Sequence, residues 1–373
     1  MSVQKYDIFL DWQAKTCFFF NKIVPRHKTA GIAVGFAAFY SREVTRKTLK
    51  INNEFLIIQI GLRQHTLLQD AKFKLSSGLF PIFAVKGKIM MTLDIHGKAI
   101  DLSTPKVMGI LNVTPDSFSD GGLHQQLDDA LRHCERMLDE GAAIIDIGGC
   151  STRPDNAIAT EKEELGRVLP VLKNLREAFP TAVLSIDTFR KNVAEACYDM
   201  GADIINDISG GLFDPAMLPF IGIRHIPYVM MHCVGTPETM HHFALDGDIH
   251  QTIHDFFVKQ CEILESFGKQ QIILDPGIGF GKSLEANYAL LRDMERYRYH
   301  DYPILIGISR KSMIGKVLGT DYQSAPEAIE NGTAVLNALA LQAGGNILRV
   351  HDVKRACEVV KLYEKVTPFS PSK

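Results

Sequence analysis

Short apolar runs alternate with longer amphipathic stretches along the chain from residue 106 onward. The runs are rich in valine, isoleucine and leucine and are continuously apolar, which is typical of strands covered on both faces. They span 106–112, 143–149, 182–188, 203–209, 227–232, 271–277, 304–309 and 346–352. The pattern therefore predicts eight buried strands.

Helix candidates lie between these runs. Thr160 with Glu163, and Ser324 with Glu327, form the spacing of a capping box at the start of two of them. The candidates include 127–140, 161–178, 190–200, 250–268, 284–297 and 326–343.

The regular alternation of strands and helices indicates the fold class. Eight such units over residues 91–373 predict an α/β fold, the (β/α)8 or TIM barrel. A doubly wound open sheet is the alternative. It is less favoured because eight regular units close into a barrel without a second domain.

Polar or charged residues, and in one case two glycines, stand at the carboxyl ends of nearly all the runs. In a barrel these ends converge on one rim, where catalytic groups collect. One strand-end aspartate is more often a helix cap than a catalyst, but a whole rim of such residues is poorly explained by capping. They are Asn112, Gly148, Gly149, Asp187, Thr188, Asn206, Asp207, His232, Asp275, Ser309, Arg349 and His351. We therefore interpret GILNVTPDSFSDGG (109–122) as a strand that opens into a functional loop.

Overall composition narrows the class of protein. The chain is 46% hydrophobic with a formal net charge of −2, as expected of a soluble globular protein. Its most apolar early segment, 30–40, is shorter than the roughly 20 residues of a membrane-spanning helix, and the first residues lack the order of a secretory signal. Seven widely spaced cysteines without a CxxC indicate neither a zinc site nor a disulfide framework. These features predict a cytoplasmic protein.

The first ninety residues differ in charge from the rest. They hold 14 lysines and arginines against 5 acidic residues, whereas the remainder holds 27 basic and 38 acidic residues. The lysines are scattered without a motif, so they do not favour nucleic-acid binding. We treat 1–90 as an N-terminal extension of unassigned structure. Met90 and Met91 support the hypothesis that translation naturally starts there; if the extension is native, we expect it to be poorly ordered or loosely packed.

Six motifs resemble the dihydropteroate synthases of the folate pathway. In order they are MGILNVTPDSFSDGG, DIGGCSTRP, IINDISGG, LDPGIGFGK, ISRKSMIG and ILRVHDV, and the resemblance covers about residues 91–366. It implies condensation of 6-hydroxymethyl-7,8-dihydropterin diphosphate with 4-aminobenzoate to give 7,8-dihydropteroate and pyrophosphate. It also implies Mg²⁺ as cofactor and a homodimer.

The resemblance assigns a group of residues to the leaving diphosphate. Departure of so anionic a group needs a metal ion and fixed cations. By similarity Asn112 is the Mg²⁺ ligand, a neutral oxygen donor of the kind that ion accepts. Arg349 and His351 alternate along the last strand, so they point the same way, and by similarity they bind the diphosphate. The alternative for this pair is a strand-end ion pair with a nearby acid.

A second group is assigned to the pterin. Its amino-pyrimidine edge presents hydrogen-bond donors side by side, which a carboxylate accepts and an asparagine can complement. By similarity Asp275 and Asn206 hold this edge, Asp187 lies at the other side of the ring, and Lys311 reaches the ring carbonyl or a ring nitrogen. The walls of the site are assigned to Met231, Phe280 and Gly307.

Four of these residues are predicted to be catalytic: Asp187, Lys311, Arg349 and His351. We interpret Asp187 as stabilising positive charge on the pterin methylene as the diphosphate leaves. No general base is required, because the weakly basic aromatic amine carries a usable lone pair at neutral pH.

The loops are assigned to the second substrate. Thr152, Arg153 and Pro154 match the family's second loop and, with Lys311 and Ser312, would hold 4-aminobenzoate. The opening loop, 114–122, would close over both substrates. Sulfonamides should compete here, since they mimic 4-aminobenzoate.

Some features depart from the family or favour another class. Cys150 stands where the family usually has glutamate, which removes a charge beside the second loop. LDPGIGFGKS nearly matches a phosphate-binding loop of an NTPase but has Pro276 where glycine is required. A corrinoid-type pterin-binding methyltransferase and an inactive paralogue are further alternatives. SRKS and RVHD favour the synthase, because a methyltransferase has no diphosphate to hold.

Overall fold

The structure of the chain is a computed structural model. It divides into two compact units, Met1–Ile89 and Met90–Lys373. The structure describes residues 46–51, 54–59, 72–75, 78–79, 92–95, 97–114, 123–150, 158–236, 239, 245 and 247–367.

The first unit contains one antiparallel sheet. Its four strands are paired in chain order. They are β1 (Arg46–Ile51), β2 (Glu54–Gln59), β3 (Lys72–Leu75) and β4 (Gly78–Leu79). Lysine and apolar residues alternate in KFKL, which is the period of two of a strand. The sequence pattern alone predicts no structure for this part of the chain.

The second unit begins with a hairpin and continues as the predicted barrel. The hairpin strands are β5 (Thr92–Ile95) and β6 (Lys98–Asp101), joined by a turn in which Gly97 has φ 80°. The barrel strands are β7 (Lys106–Asn112), β8 (Ile144–Gly148), β9 (Leu184–Asp187), β10 (Ile204–Asp207), β11 (Tyr228–Met231), β12 (Ile272–Asp275), β13 (Leu305–Ile306) and β14 (Ile347–Val350).

The eight barrel strands are parallel, and the sheet closes on itself. Neighbouring strands follow the order β12, β11, β10, β9, β8, β7, β14, β13. A parallel bridge between Leu274 and Ile304 joins the two ends of this series. The predicted (β/α)8 barrel is thus confirmed, and the open-sheet alternative is wrong.

Helices follow the strands on the outside of the barrel. They are α1 (Leu123–Asp139), α2 (Glu161–Ala178), α3 (Lys191–Asp199), α4 (Met217–Arg224), α5 (Ile249–Glu265), α6 (Leu284–Arg292), α7 (Ser312–Leu318), α8 (Pro326–Gln342) and α9 (Val353–Val366). A 3-10 helix, Met294–Arg296, follows α6. Both α7 and α8 lie between β13 and β14.

One of the two predicted capping boxes is present. Thr160 accepts a hydrogen bond from the backbone of Glu163, whose carboxylate accepts one from the backbone of Thr160 at 2.7 Å. The box predicted at Ser324 is wrong, because α8 begins at Pro326 with Ala325 as its N-cap. Proline is favoured in the first turn of a helix, where it has no N–H to satisfy, so it displaces the start beyond the serine.

The bottom of the barrel is an apolar layer closed by the hairpin. Leu93, Ile95 and Leu102 of the hairpin segment pack against one residue from each barrel strand, or in the case of β9 the residue directly before it. Those residues are Met108, Ile144, Val183, Ile204, Val229, Ile273, Leu305 and Ile347. The hairpin therefore shields the amino-terminal end of the barrel from water.

Two further features concern the described residues alone. No described helix has both the length and the apolar character needed to cross a bilayer. The six described cysteines are free thiols.

We expect Leu102→Ala to lower the free energy of unfolding by about 2–5 kcal/mol, because it removes a fully buried side chain from the apolar layer at the bottom of the barrel. The matched control is Ile223→Ala on α4, where the isoleucine is 66% exposed and the change should stay within about 0.5 kcal/mol. Urea denaturation followed by circular dichroism measures both. An equal decrease in the free energy of unfolding in the two variants would contradict the role of the hairpin segment in closing the bottom of the barrel.

Candidate active site

The site lies one layer above the apolar bottom of the barrel. Successive residues of a strand point to opposite faces, so the residue two positions after each bottom-layer residue also points inward. In the bottom layer every one of these residues is apolar, whereas the next layer contains five polar residues and one glycine. The second inward layer is Ile110, Asp146, Ser185, Asn206, Met231, Asp275, Gly307 and Arg349.

Asp146 is the shared acceptor at the centre of this layer. It is fully buried and accepts hydrogen bonds from Ser185 Oγ at 2.6 Å, Asn206 Nδ2 at 2.9 Å and Arg349 Nε at 2.7 Å. These donors come from three other strands. Sequence reasoning missed Asp146, although its inward register between two isoleucines was the available signal.

Arg349 also forms an ion pair with Asp187, Nη2 to Oδ2 at 2.6 Å. Burial lowers the pKa of Arg349, but Asp146 and Asp187 outweigh it and raise the pKa above its ordinary value. Burial raises the pKa of Asp187 to about 7, against the lowering effect of Arg349. The two ion pairs use two of the five guanidinium N–H groups, so the others stay available for a ligand.

Asn112 and Asp187 flank the end of β8. Gly148 is paired with Asn112 on one side and with Asp187 on the other. A Cβ added to Gly148 would lie 3.4 Å from Asn112 Oδ1 and 3.9 Å from Asp187 Oδ2. A neutral oxygen beside a carboxylate suits Mg²⁺, which takes one or two protein oxygens and keeps waters and substrate phosphates. The residues present therefore fit the predicted metal.

The predicted pterin-edge residues Asn206 and Asp275 are both buried in the second inward layer. Asp275 Oδ1 accepts the Gly277 N–H at 2.7 Å, which leaves its second oxygen for a ligand. Burial raises the pKa of Asp275 to about 6, although Gly277, Lys311 and Arg349 lower it. Asn206 donates to Asp146 through its amide nitrogen, so its carbonyl oxygen is the group left to accept.

Lys311 lies across the face of Phe280, with Nζ 3.8 Å from the ring centroid. Burial lowers the pKa of Lys311 to about 8, against the opposing effect of Asp275. Gly307 has space beside it, because an added Cβ would meet no heavy atom of the described residues within 4 Å. Lysine, aromatic ring and glycine thus border an open volume above the inner layer.

Other predicted residues lie on the same rim. Ser309 Oγ and His351 Nδ1 are 3.0 Å apart, which joins the ends of β13 and β14. Met231 is buried in a cluster with Phe189 and partly buried Phe280. Ser312 is the exposed first residue of α7.

Two strand-end residues of the sequence pattern serve the protein itself. Asp207 is fully buried and accepts hydrogen bonds from Ser209, Gly211 and the Tyr228 hydroxyl. His232 is buried, and burial lowers its pKa to about 3, so it is neutral. Capping and packing explain these two residues.

Lys282 also belongs to the scaffold. Its ammonium donates to the backbone oxygens of His232, Gly277 and Phe280 at 3.1, 2.8 and 2.9 Å. These bonds curl the loop that carries Phe280. Because all three ammonium hydrogens are used in this way, the lysine offers no support for the NTPase alternative.

The base of the second loop is held by Arg190. Its guanidinium pairs with buried Glu164 and donates from Nη2 to Ala159 O at 2.6 Å. Cys150 is partly buried beside them, and burial together with Glu164 raises the pKa of its thiol. Thr152, Arg153 and Pro154, and residues 115–122 of the opening loop, lie outside the described residues.

The structure therefore brings most of the predicted residues to one rim. Asp146 and Ser185 are additions from the second inward layer. The residues gathered there are Asn112, Asp187, Asn206, Met231, Asp275, Phe280, Gly307, Lys311, Ser312, Arg349 and His351.

Comparison with known proteins points to one family. The family described as pterin binding enzyme matches residues 108–351. The dihydropteroate synthase of Escherichia coli K12 is 41% identical over 276 residues, which are 74% of this chain and 96% of that protein.

Solved structures give the same result. Yersinia pestis dihydropteroate synthase, in a complex with a sulfonamide drug, aligns with a TM-score of 0.68 and 41% identity over 74% of this chain and 99% of that one. The Xanthomonas albilineans dihydropteroate synthase in complex with 7,8-dihydropteroate aligns with a TM-score of 0.65 and 35% identity over 74% and 99%.

We expect Asp146→Asn to lower the free energy of unfolding by about 3 kcal/mol, since it removes the charge partner of Arg349 and one acceptor for three buried donors. Asp129→Asn is the control, because its ion pair with Arg132 is exposed and its loss should cost about 0.5 kcal/mol or less. Urea denaturation gives both values. A loss at Asp146 no larger than at Asp129 would contradict its role as shared acceptor.

Proposed function

The chain belongs to the pterin-binding enzyme family and, within it, to the dihydropteroate synthases, and from this we propose which residues perform each part of the reaction. The enzyme is a transferase that joins 6-hydroxymethyl-7,8-dihydropterin diphosphate to 4-aminobenzoate and releases pyrophosphate. The observation that carries the assignment is the layer in which Asp146, Asn206, Asp275 and Arg349 face one volume at the carboxyl ends of the strands.

The pterin binds through the amide and carboxylate of that layer. The free oxygen of Asp275 accepts the amino-pyrimidine donors, and the carbonyl oxygen of Asn206 accepts at the same edge. Both groups are buried, so a ligand without these donors leaves them unpaired and should bind about 10⁴-fold less tightly. Lys311 and Phe280 cover the ring, and Gly307 gives it room.

The diphosphate binds beside Arg349. Asp146 and Asp187 fix the guanidinium plane, and the unused N–H groups meet phosphate oxygens as charge-assisted hydrogen bonds. His351 lies two residues after Arg349, just beyond β14, so it points to the same side and contributes a further donor. Fixed cations of this kind cost no reorganisation when the charge of the leaving group develops.

We propose Mg²⁺ as the cofactor. When bound, it would neutralise diphosphate charge and so favour departure of the pyrophosphate. Asn112 would supply its neutral oxygen ligand, in accord with the position of that amide beside Asp187.

The second substrate approaches from the rim. The ligand of the Xanthomonas albilineans complex, 7,8-dihydropteroate, contains both the pterin and the aminobenzoate parts. In this chain Lys311 and Ser312, at the start of α7, would bind 4-aminobenzoate together with Thr152, Arg153 and Pro154. The sulfonamide complex of the Yersinia pestis enzyme supports competition by such drugs here.

We propose a cytoplasmic homodimer. The helices α7, α8 and α9 are neighbours in the barrel, and each carries exposed apolar side chains. The family resemblance implies a second copy of the chain as partner, and in this proposal that copy covers the face of α7, α8 and α9. The exposed residues are Val317, Leu318, Val335, Leu339, Leu362 and Val366.

The proposed reaction is tested by incubating the full chain with both substrates and measuring pyrophosphate and dihydropteroate. We expect both products in equal amounts with Mg²⁺, their loss after treatment with EDTA, and their return on adding Mg²⁺. Omission of 4-aminobenzoate is the control for simple hydrolysis. Binding of the pterin without either product would instead support the inactive paralogue.

The proposed role of Asp187 predicts that its substitution slows the chemical step much more than it weakens binding of the pterin substrate. Asp187→Asn removes the charge that stabilises the cationic pterin methylene, so the single-turnover rate should fall by about 100-fold or more. The dissociation constant of the pterin substrate should change much less. Rapid-quench kinetics and calorimetry measure the two quantities, and equal losses in both would refute the assignment.

A further inference from the structure

Arg310 has an unusual backbone for a residue with a side chain. Among the described residues, three that are not glycine have positive φ, and Arg310, at 58°, is the one that adjoins the site. It lies between Ser309 and Lys311, both of which face the rim. The left-handed region is sterically disfavoured for residues with a Cβ.

This backbone forms a tight turn after β13. The Lys311 N–H donates to Ile308 O at 3.0 Å, so Ser309 and Arg310 occupy the two central positions. A positive φ at the second central position normally selects glycine or asparagine. Something other than local preference must hold arginine there.

The support comes from α8 and from the loop before it. Arg310 Nε donates to Glu330 Oε1 at 2.6 Å, and the Arg310 backbone N–H donates to Thr333 Oγ1 at 3.3 Å. Its guanidinium also lies 4.4 Å from the ring centroid of Tyr322. Residues 330 and 333 are three apart and so lie on one helix face. The turn is thus held by both its backbone and its side chain.

Burial of the Glu330 carboxylate costs free energy that must be offset by a specific contact. It is only 5% exposed, and its Oε2 has no hydrogen-bond partner among the described residues. Buried carboxylates are seldom left half satisfied. The contact that accounts for this carboxylate is the one with Arg310.

The turn decides where two site residues point. Lys311 follows it directly and lies over Phe280, with its Cδ 3.0 Å from a Cβ placed on Gly279. Ser309 precedes Arg310 and lies 3.0 Å from His351 Nδ1. A relaxation of the turn to negative φ would swing the lysine away from the ring.

We propose that Arg310 is a positioning residue, held by Glu330 and Thr333, which keeps Lys311 in place for the substrates. This inference rests on the proposed function, because it assumes that Lys311 acts on a bound substrate. Arg310 itself acts through the turn and not on the reacting atoms.

The test compares Arg310→Ala with Arg310→Gly in the full chain. Alanine removes the side chain and keeps the steric conflict, whereas glycine removes both. We expect kcat/KM to fall at least tenfold for alanine and to be partly restored by glycine. Arg292→Ala is the matched control, since that arginine is 72% exposed and pairs with Asp293 on the surface.

The decisive readout is a double-mutant cycle with Lys311→Ala. If Arg310 acts through Lys311, Arg310→Ala causes little further loss in the Lys311→Ala background. The same fold-loss in both backgrounds, or unchanged kinetics of Arg310→Ala, would overturn the inference. Should Arg310→Ala fail to fold, Glu330→Gln, which keeps the shape, is put through the same cycle with the same criteria. An inactive wild-type chain would instead count against the proposed function.

Discussion

The buried ion pair between Asp146 and Arg349 is the interaction on which the active site depends. A carboxylate with no exposure to water inside a barrel is costly unless it is paired with an opposite charge and hydrogen-bonded. Here three donors from three strands converge on it, and one of them is the guanidinium. The pair therefore links the strands and sets the direction of Arg349. It also orients Asn206, which leaves the carbonyl of that amide free for a ligand.

Stability and chemistry occupy different layers of the barrel. The bottom layer is apolar and is sealed by the hairpin, so hydrophobic burial there supports the closed sheet. The next layer contains polar and charged groups that such an interior would not tolerate without one another. This separation lets the rim hold a raised pKa at Asp187 and a lowered one at Lys311 without loss of the fold.

Much of this arrangement could be predicted from the sequence. The apolar runs fixed the eight strands, and the polar residues at their ends identified Asn112, Asp187, Asp275 and Arg349 as neighbours. Asp146 was missed because it lies within a run and its importance depends on register, which a list of strand ends ignores. The left-handed backbone of Arg310 could not be predicted from the sequence either, since arginine has no local preference for that conformation. The N-cap predicted at Ser324 is absent because α8 begins later, at Pro326.

A crystal structure of the chain with dihydropterin and pyrophosphate bound is the most direct test. The account predicts the pterin edge within hydrogen-bond distance of Asn206 and Asp275 and the pyrophosphate on the free N–H groups of Arg349. Arg349 Nε should still donate to Asp146. A pterin bound away from these residues, or an Arg349 that leaves Asp146 to reach the phosphate, would contradict it.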